Sequence, residues 1–395
     1  MSDFRGYRRD DGGIGVRNQL LVLPTSVAAS PIASAVAETV GPPVVATPHQ
    51  MGTDQSNPAR EQTERTLIGV GKNPNVAAVI VVELGTETID GDALADRIAG
   101  TGKPVELCTI RDVGGTRKAV EAVTAMARSL RSNIEADSRE PADASELIFG
   151  VECGGSDATS GIAANPAVGA ACDRLVAAGG TACFSETPEF IGAEHILADR
   201  CTDDTVAERL LDRVDRRERL ADLMGVDMRG AQPTPGNQEG GLTTIEEKSL
   251  GAIAKGGTTP IRDIVDYADP LPTGGGLVLM DTPGYDVESV VGKVAGGAQV
   301  IAFTTGRGST TGNPVSPVIK VTGNPETWNR MANNMDINAG SLFNGESLDA
   351  IGERIYTRLL DVADGKRTAS ERRGMTEFAV NEITPAELGR IREGG

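Results

Sequence analysis

The chain has 395 residues, 39% hydrophobic and 24% charged, which is enough apolar material for about two domains at ~100–200 residues each. That excludes a wholly disordered chain, and 5 Cys exclude a small disulfide scaffold. Fifty-six acidic residues against 38 basic ones give a formal charge of −18, which argues against nucleic-acid binding and fits the surface of a halophile's cytosolic protein or of an ordinary acidic mesophile enzyme.

The longest apolar run, Val76 to Val82, is far short of the ~20 residues of a membrane span. Met1 to Asp11 is polar and lacks the apolar region of a signal peptide. A cytoplasmic protein with reduced thiols is expected, because Cys108, Cys153, Cys172, Cys183 and Cys201 form no CxxC pair.

In chain order, Gly15 to Thr25 reads as a strand, Ser26 to Val40 as an Ala-rich helix, and Asn75 to Leu84 as a buried β-branched strand. Gly91 to Ala99 is predicted helical, Pro104 to Thr109 extended and Gly115 to Ile134 helical. Leu147 to Glu152 is a short strand that runs into a Gly-rich turn. A helix follows over Ala163 to Ala178, and a strand over Thr181 to Ser185. Glu208 to Leu223 is a charged helix, and Gly230 to Gly241 is a linker or a loop laid over a site. Beyond it come strands at Gly276 to Asp281, Val300 to Thr304 and Val318 to Thr322. Helices are expected at Val287 to Val294 and Glu326 to Asn333, and a charged tail after Gly365. Strands alternating with helices define two parallel-sheet α/β domains, placed at residues 1–228 and 229–395, with the site in the cleft between them.

Ligands of open parallel sheets sit at the carboxyl ends of strands. Here those ends carry Thr25 and Ser26, Glu83 to Glu87, Glu152 to Asp157, Ser185 to Thr187, Asp281 and Thr282, and Thr304 to Gly308. In Glu152 to Gly161, Gly154 and Gly155 let backbone N–H groups approach an anion, while Ser156 and Asp157 either join in or cap the following helix. Cys153 is a metal ligand or an inert buried thiol. Of the two histidines, His49 in a loop suits a metal ligand, a general base or a surface residue, and His195 suits a helix surface or packed position. Glu186 is the strand-end candidate for acid–base work. Thr305 and Arg307 lie in a loop that is not a Walker A motif, and the Arg fork suits a carboxylate. The missing GxGxxG argues against a nicotinamide enzyme.

The segments GYRRDDGGIGVRN, NPNVAAVIVVELGTE, GGSDATSGIAANPAVG, FSETPE, TPGNQEGGLTTIEEKSLGAIAKGG, FTTGRGSTTG and NNMDINAG, in that order along nearly the whole chain, resemble the altronate/galactarate dehydratase family. The resemblance implies a lyase that uses iron or another divalent metal (Mg²⁺ or Mn²⁺) to remove water from a sugar acid and leave a 2-keto-3-deoxy acid. A related branch, the large subunit of sulfolactate sulfo-lyase, eliminates sulfite instead. Single-chain members carry a small SAF-type domain ahead of the segment at Gly6, so the resemblance implies a separate small SAF-type subunit; a homo-oligomer is expected besides. Sugar-acid members carry Cys where this sequence has Thr53 and Thr86. His49, Glu87, Cys153 and Glu186 are therefore the expected ligands, and oxygen donors suit a hard ion. Carried onto these residues, the metal, Arg307 and the N–H groups of Gly154 and Gly155 hold the substrate carboxylate, with Ser156, Asp157 and Thr305 beside it. Glu186 or His49 removes the α proton. The other class in view is a sugar-acid-binding subunit without catalysis.

Overall fold

The computed structural model describes residues 3–52 and 55–383. Thr53, one of the two positions expected to depart from the family pattern, lies outside them.

The chain opens with β1 (Phe4–Arg8) and β2 (Ile14–Gly15), which pair antiparallel. β3 (Gln19–Pro24), β4 (Val44–Ala46), β5 (Val76–Glu83) and β6 (Val105–Thr109) then form a parallel sheet in the order β4-β3-β5-β6. β5 is buried on both faces from Val76 to Val82, which is why its sequence is a continuous apolar run rather than an alternation. β7 (Glu140–Ala142) returns to β1.

A seven-stranded parallel sheet follows. It comprises β8 (Ile148–Cys153), β9 (Thr181–Phe184), β10 (Ile261–Val265), β11 (Gly276–Met280), β12 (Val300–Thr305), β13 (Val318–Thr322) and β14 (Ile337–Asn338), in the order β10-β11-β9-β8-β12-β13-β14. The α/β class with parallel sheets is therefore present. A division at 228/229 passes through this sheet, because β8 and β9 precede it and β10 to β14 follow. The changeover between the two parallel sheets falls instead near β7. The long charged helix Asp204–Leu223 lies within the span between β9 and β10, so a linker-like composition after it marks a crossover and not a domain boundary.

One apolar cluster joins the two sheets. Leu21, Leu23, Val79 and Val81 of the small sheet share it with Val278, Ile301, Phe303 and Val318 of the large one. The helices Asn57–Lys72 and Asp286–Ala295 pack between them, and Gly69 meets the Ala295 carbonyl so closely that a Cβ there would collide with backbone. A second cluster fills the other face of the large sheet beneath the helices Asn165–Ala177 and Leu348–Ala363.

Several helices go beyond the sequence expectations: Asn57–Lys72, Ile245–Ile253 and Leu348–Ala363. The predicted loop at Gly230 to Gly241 contains two short helical turns, Met228–Ala231 and Pro235–Glu239, the latter capped by the Thr234 hydroxyl.

Candidate active site

The carboxyl ends of β8 and β9 are neighbours in the large sheet, and they deliver Glu152, Cys153, Ser185 and Glu186 to one place. Glu186 adopts φ 75°, the left-handed region that a residue with a Cβ rarely takes. Its N–H donates to Thr282 Oγ1 (2.9 Å) from the end of β11, which helps hold the strained turn. Pro188 follows in the short helix Thr187–Phe190 and sets Glu189 facing back at Cys153.

Three lysines enter this carboxylate group. Lys255, beyond the helix Ile245–Ile253, is fully buried; its Nζ donates to Cys153 Sγ (3.0 Å), Glu189 Oε2 (3.1 Å) and Glu186 Oε2. Lys248 Nζ reaches Glu189 Oε1 at 3.4 Å. Lys293, on the helix Asp286–Ala295, is also fully buried and pairs with Glu152 while donating to the Ser185 and Ser289 hydroxyls. Ser289 in turn lies 2.9 Å from Ser185 Oγ and 2.8 Å from Thr282 Oγ1.

The charges settle unequally. Burial works against ionising Glu189, but Lys255 and Lys248 outweigh it and bring its pKa down to about 2. Burial likewise opposes ionised Glu152, and Lys293 holds it below the ordinary value. Glu186 goes the other way. Burial first, then the charges of Glu152 and Glu189, push its carboxyl well above the carboxylate range. Glu152 Oε1 and Glu186 Oε1 are both buried without a hydrogen-bond donor from the rest of the described protein. One proton on Glu186, donated to Glu152, answers both orphan oxygens. Burial and Glu189 also push the Cys153 thiol well up, while the surrounding anions overcome desolvation and raise Lys255.

Cys153, Glu186 and Glu189 are the group, among the described residues, whose donor atoms could together hold a metal: one atom from each lies within 4.8 Å of the others. All three are turned onto the Lys255 ammonium. A divalent ion centred on them would stand where Nζ stands, so the set does not fit a metal with Lys255 in place.

The other expected residues are placed as follows. His49 is buried; its Nε2 lies 3.0 Å from the Pro24 carbonyl and its Nδ1 accepts from Met51 N–H at 3.2 Å. With both ring nitrogens engaged, the ring is fixed as the Nε2–H tautomer, and burial lowers its pKa. Glu87 closes the loop after β5. It accepts from the N–H groups of Leu84, Gly85 and Thr86 and from the Thr25 and Ser26 hydroxyls. His49 and Glu87 thus stand apart from the Cys153 group. Asp157 ties Thr159, Ser160 and Asn324 together. The Ser156 carbonyl accepts from Asn237, and Thr305 Oγ1 accepts from Gly308 N–H. Arg307 is half-exposed, pairs with Glu239 at 3.4 Å, and lies against Gly236, where a Cβ would collide with it. The segment from Gly236 to Gly240 therefore does cover the Gly154–Asp157 turn. His195 is exposed on the helix Glu194–Ala198.

Lys255, Lys293, Lys248 and Glu189 were not among the candidates read from the sequence. A signal existed: Lys is scarce in this chain, yet Lys255 and Lys293 sit alone inside apolar stretches, AIAKGG and VVGKVAG. A lysine in such a context is buried only with partners.

A parallel α/β fold that gathers buried carboxyl groups, a buried thiol and two buried ammonium groups, with a third lysine at the edge, at its strand ends has the make-up of a candidate enzyme centre. Two family models account for the chain. The second domain of D-galactarate dehydratase/altronate hydrolase matches residues 6–135, and the C-terminal domain of D-galactarate/altronate dehydratase matches residues 144–386. The chain belongs to this family, and it is similar to lyases. It is 40% identical over 383 residues to the (2R)-sulfolactate sulfo-lyase subunit beta of Chromohalobacter salexigens, covering 96% of this chain and 97% of that protein. It is 36% identical to the galactarate dehydratase (L-threo-forming) and 33% identical to the altronate dehydratase of Escherichia coli, covering 77% and 76% of those proteins. Among the described residues no helix is long and apolar enough to cross a membrane.

Proposed function

We propose that the chain is the large subunit of a lyase that takes the proton α to a carboxylate and expels a β-substituent, with sulfolactate as substrate and sulfite as leaving group. The observation that carries the chemistry is Glu186, a strained, buried carboxyl that shares a proton with Glu152. A buried carboxyl raised well above the ordinary range, beside a second carboxyl, is suited to accept and return a proton. The choice of leaving group is supported by the match along 97% of the sulfo-lyase subunit.

In this reading Glu186 first gives up the proton that it shares with Glu152 and then removes the C2 proton, and the Lys255 ammonium, in contact with it, stabilises the negative charge that develops nearby. The C3–S electron pair leaves with sulfite. The enol that remains takes up a proton at C3 and becomes pyruvate. Arg307 exchanges its exposed partner Glu239 for the substrate carboxylate, and the backbone of Gly154 and Gly155 supports the same group. A small SAF-type protein completes the enzyme. A divalent metal, Fe²⁺ first, would need Lys255 to withdraw from Cys153, Glu186 and Glu189, and no step is assigned to it.

The second reading is dehydration of altronate or galactarate, with hydroxide leaving in place of sulfite. It is supported by the dehydratase relatives at 33–36% identity. Offering all three acids and reading sulfite and 2-keto acid separates the two.

A further inference from the structure

Lys320 lies in the middle of β13, fully buried, and among the described residues its Nζ has no hydrogen-bond partner. Its ammonium stands over the Phe303 ring of β12, whose centroid is 3.9 Å away. A ring face replaces only part of what water gives an ammonium, and three unmet donors in the interior are expensive. Three carboxylates lie within electrostatic range, on three different elements: Asp286 at the start of its helix, Glu377 in the C-terminal segment, and Asp336 before β14. None of them donates or accepts a bond with Nζ. Asp336 is already committed to Arg358 and the Ala369 N–H, and Glu377 to the Gly312 N–H.

The position relates Lys320 to the candidate centre. Phe303 and Asp286 both crowd Gly154: a Cβ there would collide with the Asp286 carboxylate and come within 2.8 Å of Phe303 Cζ. Gly154 follows Cys153 directly at the end of β8. Lys320 thus reaches the residue after Cys153 through the Phe303 ring, and Asp286, against Gly154, and Glu377 are the half-buried members of the group.

We propose that Lys320 is a substrate-binding residue whose ammonium takes an oxyanion of the substrate, a carboxylate or a sulfonate. Such a group supplies the acceptors that the protein withholds. Its identity as part of a lyase substrate rests on the function proposed above, whereas the anion site itself does not. Burial outweighs the raising effect of Glu377, Asp286 and Asp336 and brings the Lys320 ammonium down to about 7 in the free protein. An arriving anion favours the charged form, so binding near neutral pH draws in a proton.

The test is calorimetric titration of the full chain with malonate and with sulfoacetate. Measurements between pH 6.5 and 8.5 in two buffers of different ionisation enthalpy give proton uptake, beside the melting temperature of each protein. Wild type binds at least one probe with uptake of a proton, and a preference for sulfoacetate places the sulfonate at Lys320. Lys320→Met lowers that affinity at least tenfold, abolishes the uptake, and melts at or above wild type, because a buried ammonium without partners has been removed. Lys320→Arg restores part of the affinity without the uptake. The proposal is overturned if Lys320→Met binds as wild type does, if it melts lower with affinity and uptake unchanged, or if wild type binds neither probe. A wild type that binds the probes yet eliminates nothing from sulfolactate, altronate or galactarate counts against the lyase reading and leaves the anion site standing.

Discussion

Lys255 Nζ lies 3.0 Å from Cys153 Sγ, with Glu186 and Glu189 accepting from the same ammonium. One buried ammonium therefore serves a thiol and two carboxyl groups at once, and offsets the charge that Glu189 carries there. Lys255→Met leaves ionised Glu189 buried with only Lys248 beside it. Breaking a buried pair by removing one partner costs about 3–5 kcal/mol. Urea denaturation at pH 7 is expected to show a loss of that size; a change under ~1 kcal/mol would mean that the cluster re-solvates freely.

The same geometry predicts where a metal goes. Cobalt(II) bound to a thiolate has a charge-transfer absorption in the near ultraviolet. Wild-type protein is expected to show no such band, because Lys255 fills the place that the three donors define. In Lys255→Ala the band is expected to emerge, provided that Cys153 is retained. A cobalt–thiolate band in wild type that is lost in Cys153→Ser would show that Lys255 moves aside for the ion.

Glu186→Gln keeps the shape of the side chain and removes its ability to carry a proton to and from substrate. General acid–base groups contribute about 10²–10⁴-fold. Turnover is expected to fall by that factor with the Michaelis constant little changed. Glu152→Gln removes the partner in the shared proton, and its effect is expected in the pH profile of turnover more than in the maximum rate.

Glu87 does structural work, and its pH dependence follows. Burial opposes its charge, but the N–H groups of the loop that it closes overcome this and lower its pKa to about 2 from an ordinary 4.5. A depressed folded-state value stabilises the fold above the unfolded value, and the gain disappears as pH falls from about 4.5 through about 2. Glu87→Gln is therefore expected to melt lower than wild type at pH 7, with the gap closing across that acid window. A gap independent of pH would show that shape, not charge, is what the loop needs.

Much of this architecture was legible in the chain. The helix Gly91–Ala99 and strand Val318–Thr322 fall at their expected limits, because caps and β-branched runs mark them clearly. The helix Asn57–Lys72 was missed: half of its buried face is Gln62, Thr63, Thr66 and Gly71, which dilutes the apolar periodicity of Ala59, Leu67, Ile68 and Val70. The domain limit at 228/229 followed composition, whereas sheet membership depends on which strands pair, and β9 pairs with β11 across nearly a hundred residues. Strand-end reasoning named Glu186 and Cys153, which the structure brings side by side. It also raised His49 and Glu87, whose polar contexts look alike in sequence but whose ring nitrogens and carboxylate oxygens are used by nearby backbone. The lysines escaped notice because a cation in an apolar stretch gains meaning only when its distant partners are known.

The most direct test offers sulfolactate, altronate and galactarate separately to wild type and Glu186→Gln, anaerobically, with Fe²⁺ and high salt, with and without a co-expressed small SAF-type protein. Sulfite and 2-keto acid are read in each case. The account predicts sulfite and pyruvate in equal amounts from sulfolactate, at a rate that Glu186→Gln reduces at least a hundredfold, in line with the ~10²–10⁴-fold worth of such a group. Keto acid from a sugar acid with no sulfite from sulfolactate would replace the leaving group and keep the centre. No product from any of the three, or full activity in Glu186→Gln, would contradict the account and favour a binding subunit that does no elimination chemistry at Glu186.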